Sequence, residues 1–474
     1  MTSELSRFAY TACNRVMQGL GQELKIQPYY HYEPAGYNAA RVLSLRLVSL
    51  NPHYLPKIRS LRDQLTMWAG LDDRHPVRIG WDGKGVTIEI PKPPKLWQKV
   101  TIEHLQACRY LRRGTVATLG VGIQDEPRRI NFQEVSTNHV LITGLTQSGK
   151  TNTQRLIAWN LAHNASAEAA RLLIFDVAKK GHRWKDFVNV EHLSHPLITH
   201  LEEAERVLHW LVQEIERRGE QGRFAPRLFI VIDELKALID DSLVAGDHIA
   251  RVASAGAEFG LHLVMATQYP QIKMLGNAEI KRNVSTRLCG KVDSADSAAN
   301  ALGIPDTGAE SLQGYGDFLL LDYTGLFRLT VAKLEEKHVK TLSRACPQSL
   351  DLPLPEEVTT GVRSSAKKPG RQPDPLTAEE VGLALFEPMG INKLASRLGI
   401  GSTKAQRVLK FAQEIREWAL AQGFRQLDLE DAEAQPQHRN GIIARWPDNG
   451  ASANLRVFDR KLVGSTSLRT EASS

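Results

Sequence analysis

Lys150 stands near the end of the octapeptide GLTQSGKT, residues 144–151, with a glycine on one side and a threonine on the other. In the spacing GxxxxGKT, the glycines let backbone N–H groups turn inward around a phosphate. A helix that follows adds its positive N-terminal end. Gly144, Leu145, Thr146, Gln147, Ser148, Gly149, Lys150, Thr151 and Asn152 are therefore the candidate nucleotide-binding set. Lys150 would reach the β/γ-phosphates of ATP, and the Thr151 hydroxyl would ligate Mg²⁺.

Cleaving that nucleotide needs a second metal ligand and a base. The run RLFIVIDEL supplies both at its end, as Asp233 and Glu234. Asp233 is the candidate for holding Mg²⁺. Glu234, one residue on, points the other way and is the candidate general base for an attacking water. LHLVMATQ ends in Gln268, whose amide is placed to sense the γ-phosphate.

These groups must sit at strand ends, and the pattern around them supplies strands. HVLITG, RLLIFD, RLFIVIDE, LHLVMAT, TRLCGKV, GDFLLLDYT and GLFRLTVAKL read as strands over residues 131–345, with helical segments between the earlier ones. Strands alternating with helices predict a parallel sheet with crossovers. RLLIFD lies in sequence between the GKT strand and the acidic strand, which suggests a RecA-like motor; no NKxD guanine-reading motif is seen.

At these residues the chain resembles the FtsK/SpoIIIE branch of the FtsK–HerA superfamily of double-stranded DNA translocases. The likeness runs in order through HVLITGLTQSGKT, LIFDVAKKG, AERVLHWLVQEIERRGEQ, FIVIDEL, GLHLVMATQYP, EIKRNVSTRLCGKVDSADSAANALG and GAESLQGYGDFLLL. It implies a homo-oligomeric ring, a hexamer, around duplex DNA, with ATP hydrolysed between subunits. It makes Arg287 the candidate arginine that reaches a neighbour's γ-phosphate, with Arg282 as a rival; a fixed planar cation suits transition-state charge. Where the family usually reads ATQRP this chain has ATQYP, so Tyr269 stands in place of a cation.

The fold class expected is α/β: a RecA-like P-loop ATPase motor with an N-terminal α+β accessory domain and a C-terminal winged-helix or helix-turn-helix domain. The borders read as 1–130 for the accessory domain, 131–345 for the motor and 346–375 for a Pro/Ser-rich linker. The C-terminal DNA-binding domain spans 376–445, and 446–474 reads as a flexible tail. The N-terminal 24 residues read as an amphipathic surface helix, and Val86 to Ile90 as a strand.

In INKLASRLGIGSTKAQRVLKFAQEIREWALAQG, Thr403 and Gln406 form a capping box that starts a second helix. Leu394, Leu398, Val408 and Leu409 would pack the helix pair. Lys404, Arg407 and Lys410 share one face near that helix's start, which suits a recognition helix in the major groove. The segment resembles the winged-helix DNA-reading domain of the family. A helical hairpin with a solvated basic face, or a protein-binding module, fits the same pattern.

Composition sets outer limits. The 474 residues carry a net charge of +7 and are 42% hydrophobic. That suits a globular chain with a polyanionic partner such as DNA. Cys13, Cys108, Cys289 and Cys346 are scattered without a CxxC pair, which argues for a reducing, cytoplasmic setting over a disulfide framework. No run approaches the roughly 18 to 20 apolar residues of a membrane helix. Two other classes stay open: a coupling protein for conjugative DNA transfer, with a relaxase or other mobile-element protein as partner, and an ATP-gated DNA-binding scaffold of a defence or mobile-element complex.

Overall fold

The structure, a computed structural model, describes residues 3–25, 30–31, 39–47, 53–81, 85–222, 224–268, 278–347, 349–353, 378–386 and 391–400. It also describes 404–406, 408–410, 412–413, 415, 428–431, 441–446 and 454–459. The chain divides into two units, residues 1–364 and 365–474.

In the first unit, helix α1 (Ser3–Leu24) buries Leu5, Ala9, Ala12, Val16 and Leu20. Steps of three and four residues put these on one stripe. The stripe shares a core with an antiparallel sheet of order β1-β2-β4-β3, formed by β1 (Tyr30–His31), β2 (Val42–Leu47), β3 (Arg78–Trp81) and β4 (Val86–Pro91). Short helices α2 (Tyr54–Ser60) and α3 (Arg62–Trp68) complete this lobe, whereas α4 (Ile102–Ala107) buries Ile102 and Leu105 in the core of the larger sheet that follows. The strand expected at Val86 runs on to Pro91, which pairs with Val42.

A nine-stranded sheet of order β6-β5-β13-β12-β11-β7-β10-β9-β8 follows. Its strands are β5 (Val116–Gly122), β6 (Pro127–Asn131), β7 (Val140–Thr143), β8 (Ala170–Phe175), β9 (Arg227–Ile232), β10 (Leu261–Thr267), β11 (Thr286–Cys289), β12 (Asp317–Asp322) and β13 (Gly325–Val331). The strands β11, β7, β10, β9 and β8 are mutually parallel, and the other four are antiparallel. All seven expected motor strands are present. The border expected at residue 130 is displaced: β5 pairs with β13, so the sheet takes in residues from Val116. VATLGVG is buried along its whole length and offers no alternation to read.

Alternate residues of the parallel strands enter two cores. Val140, Ile142, Phe229, Val231 and Val264 pack with α5 (Lys150–Asn164) on one face. Leu141, Ile230, Ile232, Leu263 and Met265 pack on the other with α6 (Leu201–Gln221), α7 (Leu235–Asp241) and α8 (Ala245–Ala255). Period two with both faces covered is what a crossover-connected sheet requires.

A buried ion network joins the lobe to the sheet. Glu89 on β4 accepts from Arg78 Nη1 at 2.6 Å and from Arg328 Nη1 on β13 at 2.5 Å. Arg328 also donates to both carboxylate oxygens of Asp317, at 3.0 and 2.6 Å. Burial alone would raise the Glu89 carboxyl, yet Arg78 and Arg328 hold it below its ordinary range. Removing one partner of such a network leaves its neighbours charged and dry. Glu89→Ala is therefore expected to cost about 3 to 5 kcal/mol of unfolding free energy, measured by urea denaturation. A loss below about 1 kcal/mol, the scale of an exposed pair, would show that the lobe is held by its apolar contacts alone.

In the second unit, helices Ala378–Phe386 and Ile391–Leu398 and helical residues within 404–415 share a small core containing Val381, Leu394, Val408 and Ile415. Leu398 and Leu409 pack against it, as expected. Three antiparallel strands, β14 (Asp428–Asp431), β15 (Gly441–Trp446) and β16 (Asn454–Asp459), form a separate sheet. β16 lies inside the span expected to be a flexible tail. Its apolar residues Leu455, Val457 and Phe458 are set against Arg445, Ile443 and Ile442 of β15. Residues 354–375 of the expected linker, Thr403 and residues 460–474 lie outside the described residues.

Candidate active site

The loop between β7 and α5 is bent by its glycines. Gly144 has φ +143° and Gly149 φ +108°. A Cβ on Gly149 would come within 3.0 Å of the Gly316 backbone nitrogen, and one on Gly144 within 2.8 Å of Ser148 Oγ. Both positions need the missing side chain as well as the backbone angle. Lys150 is buried at the first helical position, and its Nζ donates to the Gly144 carbonyl at 2.7 Å and the Leu145 carbonyl at 3.1 Å. The cation is curled inside its own loop. Asn152 is turned elsewhere: its side chain bonds the backbone at Ala332 and Leu334, at 2.9 and 3.1 Å, so it ties α5 to the segment after β13.

Asp233 and Glu234 follow β9 directly, and β10 lies between β7 and β9. The nucleotide loop, Gln268 and the acid pair thus come off neighbouring parallel strands at their C-terminal ends. With β11 on the other side of β7, the loop also stands where strand order reverses, the usual position of a ligand crevice in such sheets. Glu234 takes a left-handed backbone, φ +63°, as it starts α7. Its carboxylate accepts from Gln268 Nε2 at 3.0 Å and from the Gln268 backbone N–H at 3.4 Å. The amide oxygen of Gln268 in turn accepts from the Thr146 hydroxyl at 3.1 Å. A chain of hydrogen bonds therefore runs from the nucleotide loop to the candidate base.

A second lysine is present that the motif reading did not assign. Lys179 Nζ donates to Asp233 Oδ2 at 2.9 Å. It belongs to the loop after β8, in the Asp-x-x-Lys segment, where Asp176 accepts from the Lys179 backbone N–H at 3.3 Å. Burial and the nearby Asp233 push the Asp176 carboxyl up. Burial lowers the Lys150 ammonium, with the Glu234 carboxylate opposing that and Lys179 adding to it. Lys179 thus bonds both Asp176 and Asp233, beside Glu234. The sequence signal for Lys179 is the Asp-x-x-Lys spacing in LIFDVAKKG, and its pairing with Asp233 follows from β8 lying beside β9.

The donor set fits a nucleotide with magnesium. The loop's glycines leave a cradle that a Cβ would fill, and Ser148 Oγ is buried there with no hydrogen-bond partner among the described residues. The Asp233 carboxylate and Thr151 hydroxyl are hard oxygen ligands of the kind Mg²⁺ takes.

Arg287 does not join this group. On β11 it is in register with Leu141, two residues before the end of β7. Its Nη1 donates to the Leu302 carbonyl at 2.8 Å, at the end of α10 (Ala295–Leu302). Burial lowers its guanidinium. Reaching outward would require this bond to break, whereas Arg282, on α9 (Ala278–Asn283), is exposed. In the second unit Lys404 Nζ donates to Glu380 at 2.5 Å and is mostly buried, so it is not displayed for DNA as expected. Lys410 is exposed, and Arg407 and Tyr269 lie outside the described residues.

Residues 111–223 match the FtsK/SpoIIIE family. The chain is 29% identical over 294 residues to the DNA translocase SftA of Bacillus subtilis (strain 168), covering 56% of this chain and 30% of that one. It is 26% identical over 364 residues to the DNA translocase FtsK of Mycobacterium tuberculosis (strain CDC 1551 / Oshkosh), covering 68% of this chain and 43% of that one. It therefore spans less than half the length of these relatives. Among solved structures, the pCW3 conjugation coupling protein TcpA, monomer form with ATPγS, aligns at 18% identity and a TM-score of 0.47, over 74% of this chain and 99% of that one. No described helix is long and apolar enough to cross a membrane.

Proposed function

Residues 111–223 are an FtsK/SpoIIIE-family segment, and from that premise and the site geometry we propose that this chain is an ATP-driven translocase of double-stranded DNA. The observation that carries the reading is the convergence of Lys150, Asp233, Glu234 and Gln268 at the ends of three adjacent parallel strands. Lys150 leaves its loop carbonyls for the β/γ-phosphates. Thr151 and Asp233 would hold Mg²⁺, which would supply charge neutralisation at the phosphates. Asp233, paired with Lys179 in this structure, would offer its carboxylate to the metal. Glu234, held by Gln268, takes the proton of the attacking water. Gln268 bonds both Thr146 and Glu234, so it links loop position to base position.

The chain works as a ring of identical subunits, a hexamer, in the cytoplasm, and in it the exposed Arg282 is the better candidate than Arg287 for the cation supplied in trans. The second unit, with helices and a three-stranded sheet, is a winged helix that reads DNA through Arg407 and Lys410, while Lys404 anchors its own fold. Phosphate contacts give the motor affinity without sequence preference.

The test is ATP turnover of the full chain with and without duplex DNA, together with triplex displacement from a long duplex. DNA-stimulated turnover with displacement dependent on ATP is the expected result. Turnover that ignores duplex DNA, or stimulation without any displacement, rules out a translocase.

A further inference from the structure

The nucleotide loop is braced from outside by a second loop, Gln313–Asp317, on the approach to β12. The Tyr315 and Gly316 N–H groups donate to the carbonyls of Gln147 and Ser148 at 3.0 and 2.8 Å. The Tyr315 hydroxyl adds a bond to Gln147 Oε1 at 3.1 Å. Three residues in succession, Gly314, Tyr315 and Gly316, hold left-handed backbone at φ +72°, +50° and +97°. For tyrosine that conformation is costly, so its surroundings must hold it there.

The N-terminal lobe provides the hold. Arg41, just before β2, donates from Nη2 to the Tyr315 carbonyl at 2.7 Å. Its guanidinium lies 4.1 Å from the centre of the Trp97 ring, and Trp97 in turn stands 6.3 Å from the Tyr315 ring. At the base of the same loop, Asp317 accepts from the Gln313 N–H at 2.8 Å while paired with Arg328, the residue shared with Glu89 of the lobe. Two routes thus run from the lobe to one short loop. That loop touches nucleotide-loop residues on the side away from Asp233 and Glu234. A hydrogen bond to the carbonyl of a strained residue, given from another part of the fold, ties loop shape to lobe position.

We propose that Arg41 and Tyr315 are positioning residues through which the N-terminal lobe sets the shape of the nucleotide loop, and with it nucleotide affinity. The proposal rests on the ATPase reading. Displacing the lobe, by whatever it binds, would loosen the brace and release nucleotide; keeping it docked would hold the loop closed on phosphate.

The test uses the full chain and its Arg41→Ala, Arg41→Lys and Tyr315→Phe variants. Binding of a fluorescent ATP analogue, KM and kcat for ATP, competition by GTP and thermal unfolding are measured on each. Arg41→Ala is expected to weaken analogue binding and raise KM about fivefold, the value of one hydrogen bond near 1 kcal/mol. Its kcat and melting temperature should stay close to those of the unmodified chain. Arg41→Lys, which can still donate to the Tyr315 carbonyl, should recover most of the loss. Tyr315→Phe should weaken binding in the same direction without altering the preference for ATP over GTP. Unchanged affinity in Arg41→Ala overturns the proposal, and so does a loss that Lys fails to recover and that follows a lower melting temperature. A Tyr315→Phe variant with altered ATP-over-GTP preference also overturns it, since the ring would then serve the base. An unmodified chain that binds no nucleotide sinks the ATPase reading and this proposal with it.

Discussion

Lys150→Ala is expected to reduce ATP turnover by about a thousandfold or more, because the loop loses the cation that would follow charge onto the transferring phosphate. The geometry makes the loss double. In the proposed mechanism Lys150 Nζ exchanges the Gly144 and Leu145 carbonyls for the β/γ-phosphates on binding, so the same side chain also holds the bound nucleotide. Nucleotide affinity should therefore fall together with kcat. A Lys150→Arg comparison separates the two roles. Arginine keeps the charge and can still donate, but its planar fork does not match a point cation folded inside the loop. It should retain some binding and little turnover. Turnover in Lys150→Ala within tenfold of the unmodified chain would remove this loop from the catalytic assignment.

The local chemistry of the site was legible because its parts are contiguous. GLTQSGKT and IDEL each declare their role through spacing and an apolar strand beside them, and the seven motor strands carry enough apolar residues to stand out. What the residues could not declare was adjacency between strands distant in sequence. β10 lies between β7 and β9, and only that order lets Gln268 reach both Thr146 and Glu234. Lys179 lies beside Asp233 for the same reason: its loop follows β8, the strand next to β9. Arg287 is singled out by the family resemblance alone, and the carbonyl at the end of α10 that takes its guanidinium is not legible in the sequence. Lys404 is read from its spacing with Arg407 and Lys410, which does not reveal Glu380, twenty-four residues upstream, as its partner. The Arg78–Glu89–Arg328–Asp317 network escaped notice because its four members lie on four strands, each in an otherwise apolar run.

Glu234→Gln should keep nucleotide and stop cleaving it. Glutamine has the shape of glutamate, and its amide oxygen can still accept from Gln268 Nε2, so the chain from Thr146 through Gln268 survives the exchange. The left-handed backbone at Glu234 belongs to the start of α7 and should tolerate an isosteric side chain. What disappears is the capacity to take a proton from water. A positioned general base is worth roughly 10² to 10⁴ in rate, so kcat should fall by that range while analogue affinity stays within a few fold. Gln268→Ala provides the contrast: the carboxylate remains but is no longer held, and the loop loses its link to it. Its kcat should fall less than that of Glu234→Gln. The Glu234→Gln chain should accumulate loaded with ATP, visible as retained nucleotide after gel filtration. Normal hydrolysis by this variant would assign the base to another residue. Lost nucleotide binding would instead make Glu234 a structural member of the loop network, tied through Gln268 and Thr146.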